Sequence, residues 1–147
     1  MAQGSVKTFE ETKLNCIRGF NIETDTFRAA FITTAFSAVL ANTATPTWSD
    51  FSAAEVSGTN YTAGGEVIDI DTSEAAGTVT IAIGTDLPWT APASGGPADI
   101  RSAIIYNVTV SNIAAWAVDM TTDGTTPLSL NGVGNDVVIK AGNLLTF

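Results

Sequence analysis

The chain has 147 residues, of which 45% are hydrophobic and 14% charged, and its formal net charge is −9. This length predicts one domain, and the six basic residues are too few to build the basic surface that binds nucleic acid or an anionic membrane. The N-terminal segment MAQGSVKTFEE lacks the apolar stretch of a signal peptide, and no apolar run reaches the roughly 18 residues of a membrane-spanning helix.

The N-terminal residues are small and polar. They predict a flexible arm over residues 1–7, followed by a single β-rich domain over residues 8–147. Because such an arm becomes ordered only by docking, removing it should leave the fold intact.

One short helix is predicted near the N-terminus. Thr8 and Glu11 have the spacing of a capping box, and Gly19 can end a helix in the left-handed conformation. These signals predict a helix over residues 9–18, with an apolar face formed by Phe9, Cys16, Ile17 and Phe20.

Alternation of apolar and polar residues then predicts strands. It is found at residues 27–31, 66–71, 78–84, 104–110, 113–120, 137–140 and 144–147. Between them lie turn-forming segments, including Gly64-Gly65, Ser111-Asn112 and TDGTTP at 122–127. We therefore predict a mainly β fold, an antiparallel β-sandwich or barrel of seven to eight short strands with one short N-terminal helix.

Three segments between the predicted strands have special character. Residues 34–52 have no clean period, and we expect Trp48 and Phe51 to dock this excursion onto the core. Tyr61 is expected to lie against the sheet with its hydroxyl at the rim. Residues 88–99, PWTAPASGGPAD, predict a long surface loop.

The residues that usually carry catalysis are sparse. The chain has no histidine, which excludes Ser-His-Asp and Cys-His arrangements. Cys16, the only cysteine, cannot form an intramolecular disulfide and is interpreted as a small apolar core residue. We therefore expect no enzymatic activity.

The carboxylates form two groups in the sequence, which are Asp69, Asp71 and Glu74, and Asp119 and Asp123. A glycosidase could use paired carboxylates, and calcium could use clustered ones, but neither group has the EF-hand pattern. We interpret them as strand ends and turns and predict no metal and no cofactor. The three tryptophans, Trp48, Trp89 and Trp116, are interpreted as core or interface residues rather than a sugar platform.

The order of several segments resembles a family of small structural proteins of tailed bacteriophages. The segments are NIETDTFRAAFIT at 21–33, EVSGTNYTAGGEVI at 55–68, DLPWTA at 86–91, IRSAIIYN at 100–107 and AVDM at 117–120. The resemblance covers about residues 8–147 and is most specific around EVSGTNYTAGG. The glycine-rich stretch after Leu128 departs from the pattern, which leaves the pairing of the final strands open.

The resemblance implies a non-enzymatic virion protein, in the first place a capsid decoration (cement) protein that stabilises the outer head surface. Its partners would then be the major capsid protein and further copies of itself, with a trimer expected, and no nucleic acid or membrane. It would be made in the host bacterial cytoplasm and be located on the virion head. The alternative is a head fibre, neck or tail protein that contacts a receptor or a glycan.

The residues expected to contact partners are Ala2, Gln3, Gly4, Ser5, Val6 and Lys7 of the arm, Trp89 in the 88–99 loop, and the C-terminal Phe147. The simpler interpretations, which are a frayed tail, a solvated loop and an edge-strand core residue, remain open for them.

Overall fold

A computed structural model describes residues 4–42 and 45–147. The elements are β1 (Val6–Thr8), α1 (Thr12–Arg18), β2 (Phe27–Ile32), α2 (Phe36–Leu40), two single-turn 3-10 helices (Trp48–Asp50 and Ser52–Ala54), β3 (Glu66–Ile68), β4 (Ile70–Ala75), β5 (Thr78–Ile83), β6 (Leu87–Trp89), β7 (Ser102–Asn107), β8 (Ile113–Asp119), β9 (Val137–Ile139) and β10 (Gly142–Thr146).

The strands form two main antiparallel sheets and a smaller pair. The first sheet has the order β1-β8-β7-β2-β3, the second has the order β10-β5-β4, and β6 pairs with β9. The first and second sheets share one core, so the predicted mainly β, sandwich-like fold is confirmed. The described residues form ten strands and two α-helices, more than the seven to eight strands and one helix that were predicted.

The main core lies between the two sheets. The first sheet contributes Phe27, Phe31 and Trp116, and the second contributes Ile81 and Ile83, all nearly fully buried. Aromatic rings meet at its centre, with ring centroids of Phe27 and Trp116 5.8 Å apart. Burial of these large apolar side chains is the main favourable contribution to the stability of the sandwich.

A second cluster lies on the opposite face of the first sheet. Ile104 and Tyr106 of β7 are buried there beneath Phe36, Val39 and Phe51. These last three residues belong to what we call the cap, formed by α2, the two 3-10 helices and Phe51 between them. The strands β2, β7 and β8 are therefore covered on both faces, which is why they are almost continuously apolar instead of alternating.

The cap is most of the excursion predicted over residues 34–52, of which Thr43 and Ala44 lie outside the described residues. As expected, Trp48 and Phe51 dock it. The Trp48 ring stacks on Tyr106 at 5.0 Å with an interplanar angle of 6°, and the Phe51 ring lies 5.8 Å from that of Phe9. A capping box between Thr47 and Asp50 begins the first 3-10 helix.

The strand predicted over residues 66–71 is two strands in different sheets. Glu66–Ile68 pairs with β2, whereas Ile70–Ala75 pairs with β5, so the chain crosses between sheets at Asp69. The predicted faces are correct, since Ile68 and Ile70 are buried.

The prediction of a flexible arm is wrong for residues 4–7. Val6–Thr8 pairs with β8, and the amide of Gly4 donates to the carbonyl oxygen of Asp119 at 2.8 Å. The arm was expected because its side chains are small and polar, but an edge strand is held by main-chain hydrogen bonds, which such side chains do not prevent. The predicted contact residues Ala2 and Gln3 lie outside the described residues.

The helix starts later than predicted. Thr8 ends β1 and its hydroxyl donates to the carbonyl oxygen of Leu144 at 3.2 Å, so it does not cap a helix. Helix α1 begins at Thr12, with Glu11 at the N-cap position and no side-chain cap bond. The turn predicted at Ser111-Asn112 is present but longer than two residues, because β7 ends at Asn107 and residues 108–112 form the connection to β8.

The loop predicted over residues 88–99 begins inside a strand. Leu87–Trp89 pairs with Val137–Ile139, and β10 pairs with β5. The structure thereby shows how the final strands pair.

No helix in the described ranges has both the length and the apolar character needed to cross a membrane.

Candidate interaction surface

An apolar surface remains uncovered at one end of the sandwich. We call it the α1–β5 patch and define it as Cys16, Ile17, Ile22, Val79 and Phe147. These residues, together with Thr72 and Ile81, line a cavity of about 270 Å³. Ile17 is 73% exposed, Phe147 46% and Val79 40%. Large exposed apolar side chains that adjoin one another mark an interaction surface more often than scattered ones do.

The second sheet builds one side of the patch. Val79 lies on the same face of β5 as Ile81 and Ile83, which enter the core, but it sits beyond the end of that core. Phe147 is held beside it, since its amide donates to the carbonyl oxygen of Val79 at 2.9 Å. The inner face of the sheet therefore continues past the residues that cover it.

Helix α1 builds the other side. Its inward face consists of Thr12, Asn15 and Cys16, at the spacing of one helical face. Ile17 falls outside that face and points to solvent, so its predicted place on the buried face is wrong. The predicted face relied on Phe9 and Phe20, and both residues lie outside α1. Burial raises the pKa of the Cys16 thiol to about 11, which keeps it protonated at neutral pH.

The other predicted contact residues are distributed over the molecule. Phe147 lies in the α1–β5 patch. Gly4 and Val6 line a separate cavity of about 540 Å³, between β8 and the β9–β10 segment. Lys7 is not available for a partner, because its ammonium donates to the carbonyl oxygens of Leu40 and Asn42, each at 2.6 Å. Ser5 accepts a hydrogen bond from the amide of Asp119 through its carbonyl oxygen.

Trp89 is not a surface contact, which corrects the prediction. It is 3% exposed, and its ring centroid lies 4.3 Å from that of Phe31 in the main core. The surrounding PWTAP sequence resembled a loop, but pairing of β6 with β9 draws the ring inward. Trp116 is fully buried as well, so neither ring offers a surface on which a sugar could stack.

Two of the carboxylates singled out in the sequence, Asp119 and Asp123, stabilise turns. Asp119 is buried, and its Oδ1 accepts from both the amide and the hydroxyl of Thr121. Asp123 accepts from the amides of Thr125 and Thr126, and these bonds hold its pKa below the usual range. Across the described part of the chain, no group of three or more acidic or cysteine side chains is placed to hold a metal ion.

Tyr61 closes the segment EVSGTNYTAGG onto the sheet. Its hydroxyl oxygen accepts from the amide of Phe31 at 2.9 Å and donates to Glu55 Oε1 at 3.0 Å. The same carboxylate accepts from the amide of Gly64 at 2.6 Å. Burial, with a further contribution from the charge of Glu55, raises the pKa of Tyr61. The most specific part of the resemblance is thus a structural turn, with its polar groups paired internally.

Comparison of the chain with models of known protein families finds no match, and comparisons with curated proteins and with solved structures likewise find none.

The sequence contains separate indications for single residues of the α1–β5 patch, but it does not show that these residues lie together. The alternation that assigns Val79 to the face of Ile81 and Ile83 is visible in the sequence. The sequence does not show that Val79 lies beyond the end of the core. This depends on where α1 ends and on the length of the opposing sheet. Of the five patch residues, only Phe147 was predicted to contact a partner.

Proposed function

We propose that this chain is a non-enzymatic structural protein of a tailed-phage virion, and in particular a decoration protein that binds the outer surface of the head shell and stabilises it. The observation that carries the proposal is the α1–β5 patch, an apolar surface on which Ile17, Val79 and Phe147 are exposed while Cys16 and Ile22 pack against the core. The sequence resemblance to small phage structural proteins supports the same function.

Such a function requires contact area rather than chemistry. Ligands that bind only the assembled state stabilise it by mass action, and many copies on one shell add their contributions. The net charge of −9 keeps free subunits soluble and apart before they meet the shell. The cavity of about 270 Å³ in the patch can receive an apolar side chain of the shell or of a neighbouring copy.

The test is co-sedimentation of the purified protein with emptied, expanded heads of its phage, with purified tails as a parallel sample. We expect saturable binding to heads at a fixed ratio to shell subunits. Binding to tails and not to heads would instead support the alternative of a neck or tail component. Absence of binding to both would overturn the proposal.

Two variants test the role of the patch. Ile17→Asp places a charge on its most exposed residue, and Val133→Asp makes a similar change at a residue that is 87% exposed in a turn outside the patch. Because burying such a side chain contributes about 1.5–3 kcal/mol, Ile17→Asp should weaken head binding at least about tenfold. Val133→Asp should bind like the unmodified protein. Equal binding by both variants would exclude the patch as the contact.

A further inference from the structure

Strand β4 is an open edge of the second sheet. It pairs with β5 on one side and with no other strand of the described residues. The amide of Gly84 donates to the carbonyl oxygen of Asp69 at 3.0 Å. This bond shows which residues of β4 are hydrogen-bonded to β5 and which lie between the bonded ones. Since every second residue of an antiparallel strand bonds to its neighbour, the main-chain groups of Thr72 and Glu74 point away from β5. Both residues are exposed, so their amides and carbonyls are open to another strand.

The inner side of this edge adjoins the apolar α1–β5 patch. Thr72 lines the cavity of the α1–β5 patch and also an adjoining cavity of about 490 Å³, and Ile17 and Ile22 line both. A strand added along β4 would place every second side chain over these two isoleucines. The second sheet has three strands against five in the first, and an added strand would cover part of the core that the second sheet leaves open.

The edge itself is acidic. Asp69, Asp71 and Glu74 lie on or beside β4, and Glu23 approaches it, accepting from the hydroxyl of Thr72 at 3.4 Å. The ion pairs among the described residues involve other carboxylates. Acidic side chains on an exposed edge repel strands of like charge and favour basic ones.

We infer that the edge of β4 binds an extended segment of a partner protein, in which apolar and basic side chains alternate. Its main chain bonds to Thr72 and Glu74, its apolar side chains cover Ile17 and Ile22, and its basic side chains lie opposite Asp71. Recognition by strand addition combines main-chain bonds for affinity with alternate side chains for specificity. The inference rests on the proposed function in one respect, which is that the segment belongs to the head shell protein.

A second copy of this chain is a poorer occupant of the edge. Pairing two β4 strands would bring the carboxylates of Asp69, Asp71 and Glu74 from both copies onto one two-stranded ribbon. Like charges at neighbouring cross-strand positions destabilise a sheet. A basic segment gains free energy from the same carboxylates.

The probe is a short synthetic peptide of alternating lysine and valine, blocked at both ends, with an alternating glutamate and valine peptide as its charge control. Binding to the full chain is measured by titration calorimetry, and the contact by amide chemical-shift changes. Thr72→Pro removes an outward amide without removing a bond to β5, which an edge strand tolerates. Thr146→Pro is the matched control, because Thr146 faces outward on β10, the opposite edge of the same sheet. Asp69→Asn with Asp71→Asn removes two charges from the outer face of the edge, where the basic side chains would lie, and leaves the main chain unchanged.

We expect saturable binding of the lysine–valine peptide, with shifts centred on Thr72 and Glu74. Thr72→Pro should weaken it about tenfold, Thr146→Pro should not change it, and the doubly neutralised variant should bind a few-fold more weakly with less dependence on salt. Undiminished binding by Thr72→Pro, or equal binding of the glutamate–valine peptide, would overturn the inference. So would a dimer of the unmodified protein that Thr72→Pro abolishes, since the edge would then hold a second copy.

Co-sedimentation of Thr72→Pro with heads separates this inference from the proposed function. If the unmodified protein binds heads and Thr72→Pro binds them equally well, the protein is a head component and the β4 edge is not its contact. If the unmodified protein does not bind heads but its peptide binding requires Thr72, the edge site stands and the proposed location is wrong.

Discussion

At Gly65 the backbone φ is +71°, and an added Cβ would collide with the carbonyl oxygen of Ala29. The first property alone favours glycine, because other residues adopt positive φ at a cost. The second adds a steric requirement, since β2 passes directly behind the turn. Gly77 has a similar φ of +80° in the turn between β4 and β5 but open space around it. A comparison of the two positions therefore separates the cost of the backbone conformation from the cost of the steric clash.

We predict that Gly65→Ala lowers the free energy of unfolding by about 3 kcal/mol or more, because it adds a clash to the conformational cost. Gly77→Ala should lower it by about 1 kcal/mol, the cost of conformation alone. Urea unfolding of both variants measures the difference. Equal losses would show that β2 moves to accommodate the new methyl group.

Cys16 provides a second residue-scale prediction, through pH. Its pKa is raised by burial from 9.0 to about 11, so the folded protein holds the thiol proton more tightly than the unfolded chain does. The contribution to stability is present below pH 9 and is lost as the pH rises toward 11. Cys16→Ala should lose less stability over that interval.

The rate of thiol modification by a disulfide reagent gives an independent measure. It should rise with an apparent pKa near 11 in the folded protein and near 9 in denaturant, because the thiolate is the reactive form. An apparent pKa near 9 in the folded protein would mean that the patch is more open to water than the structure shows.

At the scale of elements, β1 links the first sheet to the cap. Its Lys7 ammonium donates to the carbonyl oxygens of Leu40 and Asn42 at the end of α2 and lies 5.5 Å from the centroid of the Phe9 ring. Carbonyls at a helix C-terminus lack partners within the helix and favour a cation. Removing residues 1–7 would therefore remove a strand and a contact with the cap, contrary to the expectation of an intact fold.

Lys7→Met should lower the free energy of unfolding by about 2 kcal/mol, since it retains the aliphatic chain and removes two charge-assisted hydrogen bonds. Lys13→Met, at an exposed position on α1, should change it by less than about 0.5 kcal/mol. Thermal unfolding of the two variants tests the comparison. Equal stability would show that the ammonium contributes no more than an exposed lysine does.

At the scale of the whole molecule, the two hydrophobic clusters share their central strands. Ile104 of β7 faces the cap, and its neighbour Ile105 faces the second sheet. Neither cluster can be lost without exposing a face of the same strands. The fold should therefore behave as one cooperative unit in spite of its two cores.

We predict one urea transition that is identical for reporters in both clusters. Trp48 reports on the cap, whereas Trp89 and Trp116 report on the main core. The Trp48→Phe variant therefore keeps only the core tryptophans, and the double variant Trp89→Phe/Trp116→Phe keeps only Trp48. Fluorescence of each variant should coincide with its own far-ultraviolet circular dichroism. A fluorescence change that precedes the loss of strand signal, in the variant that keeps Trp48, would show that the cap unfolds by itself.

The sequence alone determined the fold class, since alternation in segments such as 78–84 and the turns between them follow from local side-chain pattern. It also determined that Trp48 and Phe51 dock the excursion, because large aromatic side chains gain most from burial. It could not determine partners that are distant in the chain. The arm became a strand only because β8 offers a free edge to Val6–Thr8, and Trp89 became core only because β9 pairs with β6.

The candidate interaction surface shows the same division. Phe147 was predicted to contact a partner, but Ile17 was assigned to the wrong face because that face relied on Phe9 and Phe20, which lie outside α1. The open edge of β4 was invisible in the sequence, since the strand predicted over 66–71 gives no sign that it changes sheets at Asp69. Side-chain pattern is local and is written in the sequence. Pairing between strands that are distant in the sequence decides which surfaces remain uncovered, and only the tertiary structure shows this pairing.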